Sequence, residues 1–218
     1  MTATGRKAPP GILCALITPF LDDETPDYGA LGELIDFQLA GGSHGLFVLG
    51  TTGEGVLLGA DERMKVAVEV MQRAAGRIPV VVHCGAPDTR TVIDLARQAE
   101  EIGADGVAVV APYYFRYGDD ALIRHFTRAA EGAPGLAHYV YENPGVAGYE
   151  AGIGVVTRLI NEVPNIVGVK DTGDSIGKIT QYLVQPGVRP DVYVGNNLLI
   201  FPALLLGAHG AVSALANA

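Results

Sequence analysis

A repeated alternation constrains this chain most: short apolar runs rich in β-branched residues, each followed by a stretch with helical spacing. The runs fall at residues 11–20, 45–49, 79–84, 106–111, 136–141, 166–170, 191–194 and 211–215. Helical segments are expected between them at 27–40, 61–74, 91–102, 119–130, 153–162, 175–184 and 198–206. In the first of these, Leu31, Leu34, Ile35 and Leu39 recur at helical spacing and Gly41-Gly42 ends the run. Asp61 is the expected cap of the second. Near-continuous apolar strands joined by helices specify a parallel sheet covered on both faces. Eight such units predict an α/β fold of the (β/α)8 TIM-barrel type, with functional groups at the C-terminal ends of the strands. A doubly wound open sheet is the rival, disfavoured because no G-x-G-x-x-G follows the first strand.

Residues 1–218 read as one barrel domain, incomplete at its C-terminal end, because no eighth helix or further C-terminal helix follows the last strand. Either the chain is a fragment or a partner surface covers the apolar seam between strands eight and one. Residues 192–218 contain no Asp, Glu, Lys or Arg. Pro202, Gly207, Gly210 and the polar Asn196, Asn197 and His209 divide them into pieces shorter than the ~20 apolar residues of a membrane span. The expectation is strand, helix and strand in a soluble core.

A net charge of -9 without a basic cluster argues against a nucleic-acid surface. Cys14 and Cys84 offer neither a disulfide framework nor metal-ligand spacing, so small core residues in a reducing cytoplasm are expected. The start, MTATGRKAPPG, is polar and lacks the apolar core of a signal peptide.

The barrel assigns Thr51, Thr52, Tyr113, Tyr114, Tyr141, Asn143, Lys170, Asn196 and Asn197 to one rim, with Lys170 its only lysine. In Ile166-Val167-Gly168-Val169-Lys170-Asp171, strand alternation groups Ile166, Gly168 and Lys170 against Val167, Val169 and Asp171. A lysine there is desolvated, which favours the neutral amine, a nucleophile able to form a Schiff base. Gly168 would leave room for a small substrate. The competing role is a lysine that snorkels outward or pairs with Asp171. Gly50-Thr51-Thr52-Gly53-Glu54-Gly55 suits a carboxylate cradle of backbone N–H groups and hydroxyls, or a local turn with Thr51 and Glu54 at capping-box spacing. It lacks the Gly-Lys-Ser/Thr ending of a phosphate-binding loop.

Tyr141 can shuttle protons beside a cationic imine, or simply pack its ring at the rim. Tyr113-Tyr114 has the same two roles open. His83 either touches substrate or is a satisfied structural histidine, the commoner case. The five histidines form no ligand pair, and Asp22-Asp23-Glu24 reads as a solvated loop. Neither a metal nor a nucleotide or other cofactor is called for.

Taken in order, Thr18-Pro19-Phe20, residues 50–55, Pro112-Tyr113-Tyr114, 141–145, 167–170 and 207–217 resemble the dihydrodipicolinate synthase / N-acetylneuraminate lyase family of pyruvate-dependent class I aldolases. The resemblance spans nearly the whole chain. It implies that Lys170 forms an imine with a 2-oxo acid, usually pyruvate, and that Thr51 and Thr52 hold its carboxylate. It further implies that Tyr141 is the acid/base, that Thr51 joins its proton relay, and that Tyr114 completes the relay in a neighbouring subunit. Gly195 and Val212 would line the substrate pocket. A homo-oligomer, dimer or tetramer, is implied.

Three positions depart from the family pattern. Val146 stands where dihydrodipicolinate synthases carry an arginine for the aldehyde's carboxylate; Tyr141-Glu142-Asn143-Pro144 replaces Tyr-Asn-x-Pro; and His83 replaces a small or apolar residue. The expected function is therefore a carbon–carbon lyase or aldolase of pyruvate or a sugar-derived 2-oxo acid, or a related dehydratase, with an aldehyde as the second reactant. The alternatives are 4-hydroxy-tetrahydrodipicolinate synthase and a non-catalytic relative that binds a 2-oxo acid.

Overall fold

The computed structural model describes residues 7–218; most of the polar start of the chain, residues 1–6, lies outside the described residues. Eight parallel strands form one sheet: β1 (Gly11–Ala15), β2 (Gly45–Val48), β3 (Val80–His83), β4 (Gly106–Val110), β5 (Ala137–Glu142), β6 (Ile166–Asp171), β7 (Asp191–Val194) and β8 (Gly210–Ser213). Each pairs with the next, and β1 pairs with β8 through Gly11–Gly210 to Cys14–Ser213, closing the barrel. The predicted first strand is longer than the observed one. After Leu16 donates to the Phe47 carbonyl at 3.0 Å, the chain reaches Thr18-Pro19, and proline has no N–H to continue a ladder.

The helices are α1 (Tyr28–Ala40), α2 (Ala60–Ala74), α3 (Thr89–Glu101), α4 (Asp119–Gly132), α5 (Pro144–Ala147), α6 (Gly152–Glu162), α7 (Ile176–Val184) and α8 (Ile200–Leu205). Asp27, Asp88 and Ser175 cap α1, α3 and α7, each side chain accepting a backbone N–H of the first turn. Asp61 does not cap α2. That helix starts at Ala60, and Glu62 reaches back to accept the Gly59 N–H at 2.9 Å. The short α5 has no counterpart among the predicted segments; Pro144 opens it, with φ already suited to a first helical turn. Residues 198–206 divide into a 3-10 turn, Asn197–Leu199, and α8, because Asn196 Oδ1 accepts the Leu198 N–H at 3.1 Å.

The sheet separates two cores. Leu31, Val66, Val92, Leu122, Val155 and Ile179 face its outside, between strands and helices. Leu13, Phe47, Val81, Tyr139, Tyr141, Val167, Tyr193 and Val212 fill the lumen. At the bottom, the Ala8 N–H donates to Tyr139 Oη at 3.0 Å and the Tyr193 hydroxyl donates to the Ala8 carbonyl at 2.9 Å. No α-helix follows β8 among the described residues. A 3-10 turn, Ala214–Asn217, lies over β1 instead: Asn217 Nδ2 donates to the Ala15 carbonyl at 2.7 Å, and Gln38 Nε2 to that of Ala216 at 2.7 Å. No described helix is long and apolar enough to cross a membrane.

β6 corrects the expected alternation. His138 pairs with Ile166 but Tyr139 pairs with Gly168, so Val167 is an extra, bulged residue. Ile166 therefore joins Val169 in the outer core, while Val167 enters the lumen. Gly168 makes no room for substrate. A side chain there would collide with the Asp191 carbonyl of β7, so this glycine allows close approach of the neighbouring strand.

Candidate active site

Lys170, at the C-terminal end of β6, is 5 % exposed and points into the lumen beside Leu13, Phe47, Val81, Tyr139, Tyr193 and Val212. Its ammonium sits 3.9 Å from the Phe47 ring centroid and 3.8 Å from that of Tyr141. Burial pulls its pKa below the ordinary lysine value, against the opposing pull of the Tyr141 phenol. Lys170 neither snorkels nor pairs with Asp171. The Asp171 carboxylate points to the other face and meets Lys178 at 3.3 Å.

Tyr141, the last residue but one of β5, is register-paired with Lys170. Its Oη lies 3.2 Å from Thr51 Oγ1 and 2.9 Å from Asn143 Nδ2. Burial would raise the phenol's pKa, but the Lys170 charge and hydrogen bonds from Thr51, Thr172 and Lys170 outweigh it and leave the value lowered. A buried amine and a phenol, each shifted toward its reactive form, thus face one another at the strand ends.

The Thr51 loop is held from several sides. Thr18 Oγ1 donates to the Gly53 carbonyl at 2.7 Å, and the Glu54 N–H donates to that of Thr51 at 3.2 Å. Thr51 and Glu54 form no reciprocal capping box: Glu54 sits in the left-handed region at φ 51° without a side-chain cap bond. Gly55 is required, since a Cβ would run into the Leu49 carbonyl. His83 fixes that same carbonyl. Its Nδ1 lies 3.0 Å from Leu49 O, which can only accept, so Nδ1 carries the proton. Burial pushes the His83 pKa down to about 3, and its ring meets Tyr141 edge-on at 5.6 Å. His83 Nε2 is buried without a hydrogen-bond partner among the described residues, so the ring is satisfied on its Nδ1 side only.

The expected site residues divide into those that converge and those that do not. Lys170, Tyr141 and Thr51 share the strand ends, Val212 lines the lumen with Lys170, and Thr52 is half-buried in the same loop as Thr51. Gly195 follows β7, its N–H donating to the Asp171 carbonyl at 2.7 Å. Tyr114 is 87 % exposed at φ 81°, its ring against Phe115, and no hydrogen bond joins it to Thr51 or Tyr141 among the described residues. Asn196 and Asn197 are engaged locally, the latter accepting from Ser213 Oγ at 2.8 Å. Among the described residues no group of three or more His, Cys, Asp or Glu is placed to hold a metal.

Sequence reasoning missed two parts of the site. Phe47 could have been found by carrying strand alternation through the second run, which sets it opposite Leu46 and Val48. The second is a buried charge cluster behind the strand ends: Lys178 Nζ lies 3.0 Å from Glu142, 3.3 Å from Asp171 and 3.3 Å from Glu150. Glu142 is the residue that departs from Tyr-Asn-x-Pro, and its carboxylate also accepts the Ala151 N–H at 3.1 Å. Buried carboxylates need such partners.

Residues 8–218 match the model of the dihydrodipicolinate synthetase family. The 4-hydroxy-tetrahydrodipicolinate synthase of Laribacter hongkongensis is 35 % identical over 207 residues, 95 % of this chain and 70 % of that protein. The enzyme of the same name from Oceanobacillus iheyensis is 37 % identical over 202 residues, 93 % of this chain and 68 % of that protein. Among solved structures, Aquifex aeolicus dihydrodipicolinate synthase superposes with a TM-score of 0.91 at 34 % identity, covering 96 % of this chain and 70 % of its own. YagE, a prophage protein of the same family from E. coli K12 solved in complex with pyruvate, gives 0.91 at 33 % identity over 95 % of this chain and 70 % of its own. The chain belongs to the dihydrodipicolinate synthetase family of aldolases and lyases.

Proposed function

We propose that this protein is a class I, Schiff-base-forming carbon–carbon lyase that acts on pyruvate or a sugar-derived 2-oxo acid. The observation that supports this best is Lys170, buried in the lumen with its amine against the Tyr141 ring, beside the Tyr141–Thr51 hydroxyl pair. In the cleavage direction the neutral Lys170 amine attacks C2 of the 2-oxo acid, and the Tyr141 phenol protonates the departing hydroxyl, so that water is lost, a protonated imine is left and Tyr141 becomes the phenolate. The Tyr141 phenolate takes the proton from the C4 hydroxyl. The C3–C4 bonding pair then flows into the imine, releasing an aldehyde and leaving an enamine. Protonation at C3 and hydrolysis free pyruvate and restore the amine. Thr51 relays the proton through its hydroxyl, and the backbone N–H groups of Thr51 and Thr52 with the Thr52 hydroxyl receive the substrate carboxylate.

The sugar-derived substrate is favoured over a carboxylated aldehyde by Val146. This residue lies on α5 at 41 % exposure, and an apolar side chain cannot give a carboxylate the bidentate partner that arginine does. The competing reading, 4-hydroxy-tetrahydrodipicolinate synthase, has in its favour the names of the related enzymes. Residues 1–218 are taken as one domain working in the cytoplasm as a homo-oligomer. The exposed Tyr114–Phe115 pair is suited to reach a neighbouring subunit.

The test is reduction with borohydride in the presence of pyruvate, followed by intact mass and peptide mapping. A reduced pyruvyl adduct on Lys170 is expected, and a panel of aldehydes then separates the readings. An unmodified Lys170 overturns the proposal. An adduct without turnover of any aldehyde leaves a non-catalytic binder, and strong activity with aspartate semialdehyde makes it the synthase.

A further inference from the structure

Asn143 occupies the third position of Tyr141-Glu142-Asn143-Pro144, two residues beyond the phenol. Its amide nitrogen lies 2.9 Å from Tyr141 Oη and 3.3 Å from Thr51 Oγ1, and these two oxygens are 3.2 Å apart. The three atoms form a triangle. Asn143 is placed there by its own backbone: its carbonyl accepts the N–H of Val146 at 3.0 Å and of Ala147 at 2.9 Å, so the α5 turn fixes the amide over the site.

Counting protons shows what this triangle does. An amide NH2 has two hydrogens to donate, whereas Thr51 and Tyr141 have one each and two acceptor lone pairs. Asn143 fills one acceptor site on each hydroxyl. One hydroxyl proton then spans the Thr51–Tyr141 contact, and the other is left for a reacting group. With Thr51 donating, the phenol oxygen receives hydrogen bonds from Thr51 and Asn143 in addition to its contacts with Thr172 and Lys170, and the freed proton is the phenol's own. When that proton leaves, the oxyanion keeps both donors.

We infer that Asn143 is a positioning residue of the proton relay, holding Tyr141 Oη and Thr51 Oγ1 as acceptors so that the phenol proton is directed to substrate and the phenolate is stabilised. This rests on the lyase reading above for its purpose, but the hydrogen-bond role is testable without it. Asn143 is half-buried at the rim, so its replacement removes little packing.

The experiment uses Asn143→Ala, Asn143→Asp and Asn143→Gln, each with and without Tyr141→Phe. Ultraviolet difference titration between each protein and its Tyr141→Phe counterpart reports the Tyr141 phenol alone. In Asn143→Ala that titration should move up by about one pH unit, the loss of one hydrogen bond to a charged oxygen. Asn143→Asp should move it further, because a carboxylate replaces a donor with a negative acceptor. Imine formation with pyruvate should slow about tenfold in Asn143→Ala, with the final trapped fraction unchanged. Asn143→Gln, which keeps an amide N–H, should recover most of the rate. A role confined to the α5 turn would lower the melting temperature and leave the Tyr141 titration unmoved. Alanine and aspartate variants that titrate Tyr141 and form the imine as the wild type does overturn the inference. A wild type that forms no Lys170 adduct overturns the lyase reading instead, while the titration still decides the role of Asn143.

Discussion

The Lys170 ammonium lies 3.8 Å from the centre of the Tyr141 ring, while Tyr141 Oη is turned to Thr51 and Asn143. One aromatic side chain thus meets the amine with its face and the Thr51 and Asn143 side chains with its hydroxyl. A ring face attracts a cation electrostatically, which offsets part of the desolvation that holds the lysine pKa down.

That balance makes Lys170 a cost to stability. Lys170→Met keeps the volume and removes a buried charge, so the variant should be more stable by about 1–2 kcal/mol in urea unfolding. Its turnover should fall about a thousandfold or more, since Lys170 is the one lysine that lines the lumen among the described residues. A less stable Lys170→Met protein would show that the amine is better solvated than its burial implies.

On the proposed lyase reading, Val146 is the residue expected to disfavour carboxylated aldehydes. Val146→Arg should raise kcat/KM for aspartate semialdehyde by about 10- to 100-fold, the worth of one charge-assisted bidentate contact. Activity with a neutral sugar-derived 2-oxo acid should stay level or fall. Steady-state kinetics on both substrates checks the ratio.

The cluster behind the strand ends is structural. Lys178→Met leaves Glu142 and Asp171 buried without their cation and should cost about 3–5 kcal/mol in denaturant unfolding. Adding Glu142→Gln should recover part of that loss, because one of the orphaned charges is gone. Burial lowers the Lys178 pKa, but Glu142 and Asp171 more than reverse this, so it stands raised. The stability it contributes is complete below the ordinary lysine pKa and is lost as pH rises through the folded value.

Acid should destabilise the fold through its histidines. Burial pushes His83 down to about 3, and His125 and His138 each to about 4. Between the ordinary histidine value of about 6.5 and these values, the unfolded chain binds protons that the folded chain refuses, so stability falls with pH. Each histidine contributes a slope of about 1.4 kcal/mol per pH unit in that window. Unfolding free energies from pH 7 to 4 should show it, and His138→Gln should flatten the slope by about a third.

Local spacing determined much of this protein. The apolar runs, the helical spacing between them and the breaks at Gly41-Gly42 and Thr18-Pro19 are enough to specify eight strands with seven helical connections and a closed parallel barrel. The order of Thr51, Tyr141 and Lys170 along those units put all three at strand ends, where the structure has them. Tertiary structure decided which side chains share the lumen. The bulge at Val167, the approach of β7 to Gly168, the turning of Asp171 toward Lys178 and the convergence of Phe47 on Lys170 depend on register between strands far apart in sequence. Spacing within one segment fixes a face only up to such shifts, because a single inserted residue exchanges inside for outside. The same holds for Asn143. Its residue type is visible in the motif, but its two hydrogen bonds exist only once barrel closure brings the β2 loop beside the end of β5.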